Sequence, residues 1–240
     1  MSHPEIVVHL EHDGKVMLVD AHGNGPMVPV RGRQDSSQVL RFPTIAEVAK
    51  TGIIFEEKLQ TRIEFDGNTV WVIKGYPKID WPIEWAWKDS LISDNSVHPV
   101  AREAIYRSIH RLVSKVVIKN DQGKLLMAKV MRGHFSGFWT LPGGYMDHDE
   151  HPTTGCIRET LEELGIDILL EDIAPVVTQK IFNDEGVSFV SFTYQAKWNG
   201  ELADMNLLTE EISEAAWFTK EAALEAAVSY FDSEAIKHHG

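Results

Sequence analysis

Apolar residues along this chain recur with two periods, and the points where the period changes divide it into elements. Ile6-Val7-Val8-His9-Leu10 and Lys15-Val16-Met17-Leu18-Val19 read as two strands around the turn His12-Asp13-Gly14. A Gly-rich polar stretch from His22 to Ser37 follows, then a short helical pattern over Pro43–Ala49. Strands are expected at Thr61–Phe65 and Thr69–Lys74, parted by Asp66-Gly67, and the segment Tyr76–Trp87 is rich in Trp and Pro. Pro99–Val113 carries Ala101, Ile105, Ile109 and Leu112 at helical spacing and reads as one helix packed between two halves. The order then recurs. Lys115–Lys119 and Lys124–Lys129 flank Asn120-Asp121-Gln122-Gly123, a helix is centred on Ile157–Leu164, and strands follow at Val176–Phe182 and Val187–Lys197. Trp217 leads into a closing helix, Lys220–Ser229.

Set over one another, IVVHLEHDGKVMLVDA lies on KVVIKNDQGKLLMAKV, TIAEVAKTGI on IRETLEELGI, and IEWAWKDSLI on SEAAWFTKEAAL. This weak internal repeat predicts an α+β protein of two related domains, residues 1–109 and 110–240.

The helix over Ile157–Leu164 carries the chemistry. Ile157, Leu161 and Leu164 form one apolar stripe, and Glu159, Glu162 and Glu163 gather on the other side. Glutamates at i, i+3 and i+4 repel one another on a bare helix. A divalent cation turns that repulsion into attraction, since hard cations prefer oxygen ligands. Pro152 suits the first helical turn, and Gly165 sits where a left-handed residue stops a helix. Upstream, Leu141-Pro142-Gly143-Gly144 offers a backbone that can approach a ligand closely.

These residues resemble the Nudix box, G-x5-E-x7-R-E-U-x-E-E-x-G-U with U a bulky aliphatic. Gly144, Glu150, Arg158, Glu159, Glu162, Glu163, Gly165 and Ile166 all fall in register, and Thr160 is the one departure. The resemblance implies an α/β/α sandwich over residues 110–240, and the internal repeat then makes the smaller α+β domain before it a degenerate copy. With Gly52 set on Gly165, the cation-binding positions of that copy become Ala46, Ala49 and Lys50, which cannot hold a metal. It further implies a Mg²⁺-dependent hydrolase, with Mn²⁺ an alternative ion. Glu162 and Glu163 would be the principal ligands, helped by Glu159 and the main-chain carbonyl of Gly143, while Arg158 orients the carboxylates. Glu150 would shape the corner between loop and helix. The general base stays open between a box glutamate and Asp184, Glu185, Glu210 or Glu211. A two-domain plan is also similar to NADH pyrophosphatases, although their cysteine zinc site and the SQPW-type motif after the box are missing here.

The substrate class implied is a nucleoside diphosphate linked to another moiety: ADP-ribose, a dinucleotide or a nucleotide sugar. Alternatives are a nucleoside triphosphate pyrophosphohydrolase of the pool-cleansing type and a sensor that binds a nucleotide without hydrolysing it. An isoprenoid diphosphate isomerase would need a cysteine in the pocket, and Cys156 lies beside the apolar stripe. Arg132, His134 and Phe135, in the loop before Phe138-Trp139, and Phe182 are candidates for gripping a phosphate or stacking on a base.

Composition narrows the partners. The 240-residue chain has a formal net charge of −13, which leaves no basic excess for a general nucleic-acid or membrane-surface binder. One cysteine excludes an intrachain disulfide and a zinc ribbon. The histidines form no convincing metal set, and most of them are expected at the surface. A small nucleotide partner, a homodimer and a cytoplasmic location are the remaining expectations.

Overall fold

The computed structural model describes residues 5–30, 39–133 and 135–239; His134 and the 31–38 part of the Gly-rich stretch lie outside them. The chain divides into two compact units, Met1–His110 with Ile181–Ser188, and Arg111–Lys180 with Phe189–Gly240.

In the first unit, β1 (Ile6–His12) and β2 (Lys15–Val16) form a hairpin whose two turn residues, Asp13 and Gly14, both have positive φ. That is the turn geometry an Asp-Gly pair favours. The next helix, α1 (Ile45–Thr51), starts in a capping box between Thr44 and Glu47 and stops at left-handed Gly52. Strands β3 (Phe55–Phe65), β4 (Asn68–Pro77) and β5 (Ala86–Trp87) complete a sheet of order β3-β4-β1-β2-β5, with β4 parallel to β1. On one face, Val48 of α1 meets Val8, Leu10 and Met17. On the other, α2 (Pro99–Ser108) packs Val100, Ala101, Ala104 and Ile105 against Val7, Leu18 and Val72.

The helix expected over Pro99–Val113 therefore ends early. Ile109 is extended, and Arg111 already belongs to the next strand. Two short apolar runs in succession fit a helical period by chance when the break between them carries no Gly or Pro.

The second unit is built from β6 (Arg111–Lys119), β7 (Leu125–Val130), β8 (Trp139–Thr140), β9 (Gly143–Tyr145), α3 (Pro152–Leu164) and β10 (Leu169–Leu170). It continues with β11 (Val176–Phe182), β12 (Val187–Lys197), β13 (Ile212–Phe218), α4 (Lys220–Ala226) and α5 (Tyr230–His239); the ends of β11 and β12 that face their shared turn count with the first unit. Strands run in the order β10-β12-β6-β7-β13, with β12 parallel to β6 and β11 also on β12. Cys156 and Leu164 of α3 pack on Val116, Ile118, Leu126 and Ala128 at one face. Ala223 of α4 and Ala235 and Ile236 of α5 pack on Val117, Leu125 and Met127 at the other. This is the α/β/α sandwich expected, but the closing helix stops at Ala226 and α5 is an addition.

The path β11-β12-β6-β7-β13 retraces β3-β4-β1-β2-β5, including its single parallel pair. The ungapped overlay of the two hairpins is nevertheless one residue out in the first strand. It sets Val7 on Val116, whereas Val8 faces α1 as Val116 faces α3. The longer loop between Lys119 and Leu125 absorbs the difference, and a one-residue slip exchanges the faces of a strand.

His9 departs from the expectation of surface histidines, with 1% of its area exposed. Burial, then the positive charge of Lys74, pushes its imidazole down to about 3. A depressed histidine contributes stability that is complete above its unfolded value of 6.5 and is lost as pH falls towards about 3. The unfolding free energy should therefore fall through that window by at most about 5 kcal/mol, and the melting temperature with it. His9→Gln should flatten the upper part of the slope; an unchanged slope would exclude His9 as its source.

Candidate active site

The box folds as one ion-pair network around Arg158. His151 caps α3, accepting from the Thr153 amide, and Pro152 occupies the first turn. Arg158 Nε and Nη2 donate to the two oxygens of Glu150 at 2.8 and 2.9 Å. Its Nη1 donates to Glu159 at 3.0 Å and to Glu162 at 2.9 Å, and Nη2 also reaches the Tyr145 carbonyl at 3.1 Å. Glu150 in turn accepts from the Asp147 amide, which closes the corner before the helix. These bonds raise Arg158 further above its usual range and hold Glu150 below the usual carboxylate range.

The helix docks in a rotation that the apolar stripe does not predict. Leu161 is 46% exposed, while Glu163 is only 9% exposed and shares the inner face with Cys156, Thr160 and Leu164. Thr160 fits there because its hydroxyl donates to the Cys156 carbonyl at 2.7 Å. Glu163 accepts from the Gly143 amide at 3.0 Å, which ties the Gly-rich loop to the helix. Burial pushes its carboxyl up to about 8, against the pull of Gly143 and Lys115. Burial raises Glu159 as well.

Steric fit explains the loop sequence. A Cβ at Gly143, whose φ is +129°, would stand 2.2 Å from the Ser114 carbonyl oxygen, and one at Gly144 would meet the Glu159 carboxylate at 2.7 Å.

Two residues that sequence reasoning missed hold this loop from below. Lys115 of β6 and Asp232 of α5 form a buried ion pair at 2.6 Å. The second Asp232 oxygen accepts from the Leu141 amide at 3.1 Å. No local signal marks either residue; only the fold brings them together.

The remaining candidates scatter. Glu211 follows a turn whose Leu208 amide donates to the Glu163 carbonyl, and its charge acts on both Glu159 and Glu163. Arg132 pairs with Glu211, and Phe135 is half-buried in the same loop as Arg132. Glu210 is exposed. Asp184 pairs with Arg62 at 3.1 Å, and Asp184, Glu185 and Phe182 all belong to the first unit. Cys156 is buried and its thiol is pushed up to about 12 by that burial, so it is no pocket nucleophile.

In and around the box, seven carboxylates (Asp147, Glu150, Glu159, Glu162, Glu163, Glu211, Asp232) meet three cations (Arg158, Lys115, Arg132). The donor set is all oxygen and in excess of its counter-charges, which fits a hard divalent cation. Among the described residues no three such side chains already stand in metal-holding geometry. Arg158 draws Glu159 and Glu162 to itself, and Glu163 turns to Gly143.

Residues 109–238, more than half of the chain, match the model of the NUDIX domain, and the chain belongs to that family. It is a Nudix pyrophosphohydrolase. Over 93 residues it is 27% identical to an 8-oxo-dGTP diphosphatase of Proteus vulgaris, covering 39% of this chain and 81% of that protein. Over 124 residues it is 27% identical to a MutT-like protein of Streptomyces ambofaciens, covering 52% and 73%. A solved structure, the MutT NUDIX hydrolase from Burkholderia pseudomallei, is similar over 55% of this chain and 100% of its own, with a TM-score of 0.47 and 26% identity. No helix among the described residues is long and apolar enough to cross a membrane.

Proposed function

We propose that the second unit hydrolyses the P–O–P linkage of a nucleoside diphosphate joined to another moiety, with Mg²⁺ as the working ion and Mn²⁺ as a substitute. The observation that carries this reading is that one helix places Glu159 and Glu162 on Arg158 and buried Glu163 on the Gly143 amide, three carboxylates beside one Gly-rich loop. When bound, the cation neutralises diphosphate charge and activates a water. Glu162 and Glu163 are its principal ligands, with Glu159 and the Gly143 main chain in support. Arg158 fixes Glu159 and Glu162 against their mutual repulsion. Of the acids outside the box, Glu211 is our candidate to draw the proton from the attacking water, because the turn before it is tied to α3 by the bond from the Leu208 amide to the Glu163 carbonyl. Water adds to one phosphorus, the bridging oxygen leaves with the other, and the products are a nucleoside monophosphate and a second phosphorylated compound. Arg132 and Phe135 are candidate contacts to the substrate.

The first unit, in this reading, is a degenerate Nudix-like domain. Positions Ala46, Ala49 and Lys50 offer no carboxylate, and Glu47 of α1 is tied to Thr44 and Arg41. A cytoplasmic homodimer completes the proposal.

A second reading, hydrolysis of nucleoside triphosphates, is favoured by the diphosphatase named among the relatives. Chromatography of products after incubation with Mg²⁺ and ADP-ribose, NADH, dinucleotides, nucleotide sugars or triphosphates separates the two. A monophosphate from one linked diphosphate is the expected result; pyrophosphate from triphosphates would transfer the assignment to the second reading. Glu162→Gln should remove most of whichever activity appears, and full turnover in that variant would sink the box as the active site.

A further inference from the structure

The first unit contains a cavity of about 170 Å³ that the proposed hydrolysis does not use. His9 and Glu11 of β1, Lys74 and Tyr76 of β4, Lys88 and Arg107 are among its lining residues. Two lysines converge on one carboxylate there: Lys74 Nζ lies 2.8 Å from one oxygen of Glu11, and Lys88 Nζ lies 2.7 Å from the other. Arg107 donates to Glu103 and to the carbonyls of Arg62 and Glu185, which fixes its guanidinium. Three cationic side chains thus line a space that presents one carboxylate.

The titrating groups respond to that imbalance. Burial acts to raise Glu11, yet Lys74 and Lys88 hold it down to about 2. The same two lysines add to burial in depressing His9. Both report a positive potential inside the cavity.

His9 supplies the second, independent observation. Its side chain is 2% exposed, and Nε2 stands 3.6 Å from Glu11 with no hydrogen-bond partner. Buried polar atoms are almost always partnered in folded proteins. A neutral imidazole with its proton on Nε2 has one hydrogen bond to donate.

We infer that this cavity binds a small oxyanion of the phosphate class, with Lys74 and Lys88 supplying charge and His9 Nε2 a hydrogen bond. Size sets the class. Sites for drug-sized ligands run from roughly 300 to 1,000 Å³, so this space takes a single phosphate-like group rather than a whole nucleotide. A positive wall and a neutral buried donor exclude a cation.

The test is calorimetric titration of the full chain with inorganic phosphate in EDTA at neutral pH, against chloride of equal ionic strength. Saturable binding to phosphate alone is expected. Lys88→Gln should weaken it by about tenfold or more, the loss of one charge-assisted contact, while Glu162→Gln should leave it unchanged. Lys88 is the more exposed of the two lysines and Lys74 still pairs Glu11 in its absence. A second readout needs no variant: the ring ¹⁵N signals of His9, the imidazole that stays neutral on mild acidification, should move on phosphate addition. Heat that merely follows ionic strength, binding abolished by Glu162→Gln but not by Lys88→Gln, or a His9 signal that stays still would each overturn the inference.

Discussion

Glu163→Gln should fold normally and lose turnover by on the order of a hundred- to a thousandfold. The substitution keeps the size of the side chain and an oxygen that can accept from the Gly143 amide, so the link between loop and helix survives. Of the three glutamates offered to a cation, Glu159, Glu162 and Glu163, it removes the most deeply buried. A buried carboxylate is costly to ionise without a counter-charge; Glu159 and Glu211 add repulsion, and the one opposing cation, Lys115, is already paired with Asp232. A divalent cation is the counter-charge this arrangement lacks. The metal-free variant should therefore melt no lower than the wild type, while its affinity for Mg²⁺ falls. Glu162 is half-exposed and already shared with Arg158, so Glu162→Gln should weaken metal binding less than Glu163→Gln does. Equal losses in the two variants would mean that burial does not set the order of the ligands. Undiminished turnover in Glu163→Gln would remove that residue from the site.

The spacing of the box, the Pro152 start and the Gly165 stop were all legible because each depends on the chain within a few residues of itself. The same holds for the Asp13-Gly14 and Asp66-Gly67 turns, where the backbone alone selects the residues. Which face of α3 points inward was not legible. The wheel groups Leu161 with the apolar stripe, but the sheet face beneath α3 carries Ser114, whose hydroxyl donates to the Pro152 carbonyl, ahead of Val116 and Ile118. A partly polar floor lets Glu163 go in and turns Leu161 out. His9 and Glu11 were hidden for a related reason. An alternating strand reads them as its solvent side, whereas Lys74 and Lys88, remote in sequence, complete a buried polar cluster around them. The surroundings of the candidate substrate contacts were least legible, since Arg132 and Phe135 lie in a loop whose partner, Glu211, comes from a distant turn. Local signals fix elements and their ends; long-range polar pairs decide which side chains those elements enclose.

Asp232→Ala tests the longest of these pairs and should cost about 3–5 kcal/mol of stability, the usual penalty for leaving half of a buried ion pair. Lys115 would be left nearly buried without its partner, and the Leu141 amide would lose its acceptor. The double variant Lys115→Met with Asp232→Leu separates charge from position. Replacing both partners by apolar groups of similar size should restore most of the stability in a urea melt, because the uncompensated charge is gone. It should not restore activity. The Leu141 amide still lacks its acceptor, and Gly143, two residues on, must keep its amide on Glu163 for the box to hold its shape. The expected signature is a lowered kcat at near-normal melting behaviour, with the metal dependence shifted to higher concentration. A double variant that is both stable and fully active would show that the pair only fills the space beneath the loop, and that the Leu141–Gly144 backbone holds its place through the sheet bonds of β9 to β6 alone.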